Sequence, residues 1–220
     1  DGSFQSPWTA PSSAAVLIGL GDFDEDGRLD LSSGQTQFTT SVMTVRRGLP
    51  DGRFDVVETV ELASSGDASS AAATCAVLDT TGDGVGDVVT TWRFPPQLQV
   101  LPGDGAGGFG PPRRRQLGSL PEDAAFVDLD GDGLLDALVA SSTDPASLLV
   151  LRGQGADGFG PPAALSDPAA SASTRHVEVG DMTNDGLLDV VSVADSGALV
   201  GAESTVAVWA GNGALTPDAP

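Results

Sequence analysis

DLDGDGLLD, residues 128–136, decides the fold of this chain, because its spacing of acids and glycine recurs three more times. The other copies are DFDEDGRLD at 22–30, DTTGDGVGD at 79–87 and DMTNDGLLD at 181–189. We number these segments loops 1 to 4 in chain order. Their starts are 57, 49 and 53 residues apart, so the sequence predicts tandem units of roughly fifty residues.

A second motif alternates with the four loops and begins with glycine. Its copies are GLPDGRF at 48–54, GDGAGGFG at 103–110 and GQGADGFG at 153–160. Short apolar runs flank both motifs, and Gly, Asp and Pro turns separate them, which is typical of strands and not of helices. Four such runs in each unit, repeated radially, predict an all-β fold, a β-propeller of four four-stranded blades.

The predicted blades make a single domain over residues 1–220. Their approximate bounds are 14–62, 72–117, 123–165 and 175–213, with residues 1–9 added to the last. The fourth unit lacks its own fourth strand, and joining GNG at 211–213 to DGSF at 1–4 restores the glycine motif. We therefore expect the N-terminal strand to complete the last blade and close the ring. The alternatives are excision from a longer array, which gives part of a larger propeller, and a dimeric eight-bladed ring.

Composition excludes several classes of protein. The formal net charge of −21, from 31 acids and 10 bases, disfavours nucleic acid as a partner. Hydrophobic residues make up 40% of the chain, which indicates a globular protein. The sequence has no run of 18 apolar residues, so no membrane-spanning helix is expected. Cys75 is the only cysteine, so an internal disulfide is excluded.

The acids of each loop stand at positions 1, 5 and 9, and position 3 is Asp or Thr. Position 6 is always glycine, which permits a sharp turn, and position 7 offers a backbone carbonyl. Hard oxygen ligands in this number suit calcium, so the sequence predicts four calcium sites, one in each repeat. The predicted ligands are Asp22, Asp24, Asp26, Arg28 and Asp30; Asp79, Thr81, Asp83, Val85 and Asp87; Asp128, Asp130, Asp132, Leu134 and Asp136; and Asp181, Thr183, Asp185, Leu187 and Asp189.

The loops differ from EF-hand loops in three ways. Position 12 is never Glu, position 9 is always Asp, and the flanking segments are strand-like. The competing interpretation is a set of acidic turns that hold no ion, since Asp and Gly are common in turns. Loops 2 and 4 have Thr at position 3 and one carboxylate fewer, so we expect them to bind calcium more weakly than loops 1 and 3.

The D-x-[D/T]-x-D-G-x-x-D loops, together with FGPP at 109–112 and 159–162, resemble the FG-GAP/VCBS repeats of integrin α-subunit propellers and of many bacterial secreted proteins. The resemblance covers essentially the whole chain. It implies a propeller with calcium in the loop between the first two strands of each blade. Such propellers usually have about seven blades, whereas this chain has four, which is why a second chain or further domains are alternatives to closure as a monomer.

Candidate ligand-binding residues outside the loops are few. Trp92, which precedes the predicted loop RFPP at 93–96, is the best candidate for a surface platform that stacks on sugars. Trp209 aligns with Arg46, Leu101 and Leu151, so core or inter-blade packing is expected there. The run Arg113–Arg115 on a predicted outermost strand is either a site for anionic glycans or a charged edge that prevents aggregation.

Catalysis finds little support, because one histidine, one cysteine and the absence of lysine and tyrosine leave few groups beyond the loop carboxylates. We therefore expect a calcium-stabilised binding or adhesion module without enzymatic activity, secreted and acting outside the cell or at its surface. Its partner would be a protein or a glycan, with a homodimer if two chains share one ring. The alternatives are a glycan-binding lectin and an accessory propeller domain of a secreted carbohydrate-active enzyme.

Overall fold

A computed structural model describes residues 15–37, 40–63, 72–142, 148–165, 173–195 and 204–211. Within these ranges the chain forms fifteen strands in four antiparallel sheets, and one short 3-10 helix at Gly155–Asp157. Sheet 1 contains β1 Ala15–Gly21, β2 Asp30–Gln37, β3 Thr40–Gly48 and β4 Phe54–Ala63; sheet 2 contains β5 Ala72–Leu78, β6 Asp87–Arg93, β7 Pro96–Leu101 and β8 Arg113–Gln116; sheet 3 contains β9 Pro121–Val127, β10 Asp136–Ser141, β11 Leu148–Leu151 and β12 Ala163–Leu165; sheet 4 contains β13 Ser173–Gly180, β14 Asp189–Asp195 and β15 Thr205–Trp209.

Each sheet is a meander in which neighbouring strands in the chain are also neighbours in the sheet. The loops 1 to 4 join the first strand of a sheet to the second, and in each case the last residue of the loop is the first residue of the second strand. The all-β prediction is therefore confirmed. Residues 1–9 and 212–213, which would complete the last blade, lie outside the described residues.

The sheets pack face to face in chain order. The first strands β1, β5, β9 and β13 contact one another in succession. Adjacent residues of one strand pack against the sheets on opposite sides. On β6, Val88 packs toward sheet 1 and Val89 toward sheet 3. On β10, Val139 packs toward sheet 2 and Leu138 toward sheet 4. Sheets buried on both faces need continuous apolar runs, which is why the second strands of sheets 2 and 3 do not alternate in polarity.

Trp92 is not a surface platform. It lies within β6, its side chain is 1% exposed, and its indole N–H donates to Thr90 Oγ1 at 2.9 Å. The prediction of a surface platform was wrong because the Trp92 side chain points into the core, whereas the predicted loop is present as the turn at 94–95 between β6 and β7. Trp209, in contrast, packs against the core between sheets 3 and 4, as its alignment predicted.

The first and last sheets each present apolar side chains to solvent. Leu20 and Leu29 in the first repeat are 56% and 62% exposed, and Val206 and Val208 on β15 are 63% and 55% exposed. Met182 and Leu187 in loop 4 are also exposed. Apart from Phe94, these are the large apolar side chains found exposed among those whose burial the structure describes, and they lie on the first and last sheets. No helix in the described ranges is long and apolar enough to cross a membrane.

Candidate metal-binding loops

The aspartate at position 9 fastens each loop to the glycine motif of the same sheet. Asp30, Asp87, Asp136 and Asp189 are at most 2% exposed. In each, one carboxylate oxygen accepts the backbone N–H of position 2, and the other accepts the N–H of the first glycine of the glycine motif, at the end of the third strand. The glycine contacts are Gly48 N to Asp30 at 2.7 Å, Gly103 N to Asp87 at 3.0 Å, Gly153 N to Asp136 at 2.8 Å and Gly211 N to Asp189 at 2.7 Å.

The same glycines approach the loops too closely for any side chain. A Cβ built at Gly48 would lie 2.3 Å from the carbonyl oxygen of Leu29, and one at Gly211 would lie 2.0 Å from that of Leu188. The equivalent distances at Gly103 and Gly153 are 2.4 and 2.6 Å, again to the carbonyl at position 8. Contact with the loop, and not only turn formation, therefore requires glycine at the start of the motif.

Positions 1, 5 and 6 give each loop its tight turn. The position 1 carboxylate accepts backbone N–H groups from positions 5 and 6, as Asp22 does from Asp26 at 3.1 Å and Gly27 at 2.8 Å. The position 5 carboxylate accepts the N–H of position 7, for example Val85 to Asp83 at 2.9 Å. The position 6 glycines have φ between 83° and 89°, which is why only glycine is found there.

Loops 1 and 3 each bring three carboxylates together. Positions 1, 3 and 9 contribute one oxygen each, and the three oxygens lie within 4.8 Å of one another. The two groups are Asp22, Asp24 and Asp30, and Asp128, Asp130 and Asp136. Position 5 belongs to neither group, because its carboxylate faces the N–H of position 7. The structure thus assembles three of the four predicted side-chain ligands in these two loops.

Buried oxygens without a protein partner indicate that the loops fit a metal ion. The Asp24 side chain is 10% exposed, and its Oδ1 has no hydrogen-bond donor in the structure. Thr81 Oγ1, which holds position 3 of loop 2, is likewise buried without a partner. A buried carboxylate oxygen without a donor is costly unless a cation contacts it, and calcium prefers such hard oxygen ligands. The donor set present therefore fits calcium.

Two arginines, which sequence analysis did not single out, pair with loop acids. Arg47 Nε lies 2.6 Å from Asp24 Oδ2, and Arg152 Nη1 lies 3.3 Å from Asp130 Oδ2 and 2.6 Å from Asp136 Oδ2. Arg28 was predicted to offer its backbone carbonyl as a calcium ligand at position 7. Its side chain contacts Asp26 and donates to the carbonyl of Gly48. The alignment could have revealed Arg47 and Arg152, because both directly precede the motif glycine.

Backbone N–H groups hold the pKa of two loop aspartates below the usual range. For Asp189 the principal donor is Gly211 and for Asp128 it is Gly133, and burial opposes the shift in both. A carboxylate with a lowered pKa in the folded state stabilises the fold above its unfolded pKa, and this stabilisation is lost as the pH falls through the folded value.

We therefore expect the apo protein, in chelator, to keep its unfolding free energy between pH 7 and 5 and to lose it below about pH 4, the ordinary range of Asp. Denaturant unfolding at a series of pH values measures this. Asp189→Asn should flatten the acidic part of the curve. A loss of stability that begins near pH 6 would contradict the assignment.

Several charged or titratable side chains lie outside the loops. His176 and Glu178 are exposed on β13, with His176 Nδ1 3.4 Å from Asp123 Oδ2. Arg113–Arg115 lie on β8, the outermost strand of sheet 2, as predicted. Glu122 on β9 was missed by sequence analysis: it pairs with Arg93 at 2.8 Å and Arg175 at 3.3 Å and so links sheets 2, 3 and 4.

Comparison with known proteins gave a family match and a structural likeness. A chain of the Photorhabdus luminescens Tc holotoxin pore is 17% identical with a TM-score of 0.47, over 92% of this chain and 12% of the toxin chain. This protein thus spans about an eighth of that chain's length. No curated protein matches it. Residues 128–192, from loop 3 into β14, match the model of the FG-GAP-like repeat. The chain therefore carries an FG-GAP-like repeat, the family that its loops resemble.

Proposed function

We propose that this protein is a calcium-stabilised β-propeller that serves as a non-catalytic binding or adhesion module, secreted and acting outside the cell or at its surface. The observation that carries the proposal is the unpartnered, buried Oδ1 of Asp24 within a group of three carboxylates. The same loop sequence stands between the first and second strands of all four sheets. Four calcium ions, one in each loop, are the corresponding cofactors.

Calcium would act as a clip in each loop. Carboxylates at positions 1, 3 and 9 would hold it in loops 1 and 3, while loops 2 and 4 would use the Thr oxygen at position 3. Without a cation, these carboxylates repel one another at close range. Because position 9 also accepts the glycine N–H after the third strand, an ordered loop fixes three strands of its sheet at once.

The packing of the four sheets supports their arrangement as propeller blades. Their first strands contact one another in succession, and the glycine motifs of sheets 2 and 3 adjoin the loops of sheets 1 and 2. A Cβ at Gly155 would lie 3.3 Å from Thr81 O in loop 2, and one at Gly105 would lie 3.8 Å from Glu25 Oε1 in loop 1. For sheet 1 the preceding loop in a closed ring is loop 4.

The two ends of the series carry surfaces suited to each other. In sheet 1, a groove of about 320 Å³ lies beside loop 1 and is lined by Leu29, Leu49 and Phe54. Loop 4 exposes Met182 and Leu187. Closure of the ring would bury these groups together with Leu20, Val206 and Val208. Residues 1–9 would add a fourth strand to sheet 4, and their short covalent connection to β1 favours closure within one chain.

The test of closure is the molecular mass in solution, measured by light scattering with calcium and with chelator. We expect a monomer in calcium that binds four calcium ions by calorimetry. A dimer in calcium would replace closure within one chain by an eight-bladed ring. If the protein is a monomer and Val208→Asp does not change its stability, Val208 is not buried by closure, and further repeats would be needed to complete the ring. A protein that binds no calcium would contradict the proposed cofactor.

The binding role is supported by the way in which the acidic residues are used. Loop acids accept backbone N–H groups, and in loops 1 and 3 the acids at positions 1, 3 and 9 converge, which fits a role in holding the loop and an ion. Labelled protein should adhere to intact cells in calcium and be released by chelator. Turnover of a polysaccharide by the purified chain would contradict the non-catalytic assignment.

A further inference from the structure

Two of the four loops have an arginine nearby in the same sheet, and its presence correlates with the residue type at position 3 of the loop. Where position 3 is Asp, in loops 1 and 3, the residue before the motif glycine is Arg47 or Arg152. Where position 3 is Thr, in loops 2 and 4, the equivalent residue is Pro102 or Ala210. The extra carboxylate and the extra guanidinium therefore occur together and cancel in formal charge.

The geometry shows that these arginines contact the carboxylates of the metal-binding group. Nη1 of Arg152 lies 3.3 Å from Asp130 Oδ2 and 2.6 Å from Asp136 Oδ2, so it bridges positions 3 and 9. Arg47 pairs with Asp24 at 2.6 Å, but its Nε–H does not make a hydrogen bond there. The Arg47 contact is thus mainly one of charge, and Asp24 Oδ1 stays without a donor.

We propose that Arg47 and Arg152 are tethered cations that compete with calcium in loops 1 and 3 and hold these loops together when calcium is scarce. The inference rests on the proposed calcium sites. It removes the ranking expected from carboxylate number alone: loops 1 and 3 have more acids, yet their arginines offset the gain in affinity. Loops 2 and 4 lack an equivalent arginine, so their order depends more strongly on calcium.

The physical reason is repulsion between two cations that share the same ligands. A guanidinium bound to Asp130 and Asp136 must either leave when calcium arrives or remain nearby. At a separation of about 5 Å, a single and a double positive charge repel by enough to change affinity about tenfold even at the dielectric constant of water. If the arginine leaves, its ion pairs with the carboxylates are lost, and if it stays, it repels calcium. Both cases lower the apparent affinity of the loop for calcium.

The test uses Arg152→Gln and Arg47→Gln, with Arg114→Gln as a control that makes the same charge change on β8. Calcium is titrated into full-length protein labelled with 15N-glycine, and the amides of Gly27, Gly84, Gly133 and Gly186 report the four loops separately. We expect about tenfold tighter binding at Gly133 in Arg152→Gln and at Gly27 in Arg47→Gln. The other loops, and all loops of Arg114→Gln, should keep wild-type affinity.

A second measurement does not depend on calcium affinity. In chelator, Arg152→Gln should unfold at a lower temperature than wild type, because its carboxylates lose their counter-charge, and saturating calcium should remove the difference. The paired change Asp130→Thr with Arg152→Ala gives loop 3 the residues of loop 4 at position 3 and before the motif glycine. It should bind calcium like loop 4 and unfold near the wild-type temperature in chelator.

The outcomes separate the inference from the proposed function. Weaker calcium binding in Arg152→Gln and Arg47→Gln would show that the arginines position the carboxylates, and it would overturn competition. Unchanged affinity in both variants, with normal binding in wild type, would overturn the inference alone. A wild-type protein whose glycine amides do not respond to calcium would overturn the proposed cofactor as well.

Discussion

Removal of calcium is expected to lower the midpoint of thermal unfolding by about 20 °C or more. A ligand at a hundredfold excess over its Kd stabilises a protein by about 2.7 kcal/mol per site, and one kcal/mol moves the midpoint of a chain of this size by about 2–4 °C. Four sites acting together therefore exceed the effect of any ordinary point substitution. The free energy has a structural source, since the loops concentrate carboxylates that only cations can bring close together.

Differential scanning calorimetry in millimolar calcium and in excess chelator measures this effect. Magnesium at the same concentration is the control, because it prefers a smaller octahedral shell and retains its waters. Magnesium should restore only a small part of the midpoint. Equal midpoints in calcium and chelator would contradict calcium as the structural ion and favour the interpretation of the loops as acidic turns.

Asp87→Asn is expected to lower the free energy of unfolding by about 3–5 kcal/mol even in chelator, the range for breaking a buried charged network. Asp87 is fully buried, and its Oδ2 accepts the N–H and hydroxyl of Thr80, at 2.9 and 2.6 Å, and the N–H of Thr81 at 3.1 Å. Its Oδ1 accepts the N–H of Gly103 at 3.0 Å. An amide would direct its NH₂ group at one of these donor sets and leave it unsatisfied.

The matched control for Asp87→Asn is Asp83→Asn, at position 5 of the same loop. Asp83 is exposed and accepts mainly the N–H of Val85 at 2.9 Å. In chelator it should change the free energy of unfolding by less than about 1 kcal/mol, the scale of one exposed hydrogen bond. Urea denaturation compares the two variants. Equal losses in both would mean that loop charge, and not the fastening of the loop to Gly103, determines stability.

These two expectations describe separate roles of one loop. Calcium, if bound as proposed, would hold positions 1 and 3 against position 9, whereas the position 9 carboxylate holds the loop against the glycine motif. Both act at the same end of the sheet, where the second strand begins and the third ends. The contacts of position 9 therefore give the loops a structural role in their sheets.

Much of this organisation could be predicted from the sequence, because the signals are local and repeated. The turn requires a positive φ at position 6, which favours glycine. Gly27 and Gly133 therefore mark their loops in the sequence without any tertiary information. Strands bounded by such turns follow from short apolar runs, which is why β1, β5, β9 and β13 appeared directly before the loops. Calcium was inferred from residue types and spacing, and it remains a prediction.

Trp92 shows where local signals fail. Trp92 directly precedes the loop-forming segment RFPP, which favoured an exposed side chain. In the structure its indole is instead buried between sheets 1 and 2. Which neighbour covers a side chain depends on the packing of sheets distant in sequence. The arginine partners are similar: Arg152 reaches Asp130 and Asp136 only because β11 ends beside loop 3.

The sequence by itself determined the number of repeats, their β-strands and the chemistry of their loops, since each is encoded within a few adjacent residues. The tertiary structure alone decided what the repeated residues touch. It showed that the motif glycine is required by the carbonyl at position 8, that position 9 is a buried fastener, and that arginines balance the loops with the most acids. These contacts join residues about twenty positions apart, and only the packing of third strand against loop brings them together.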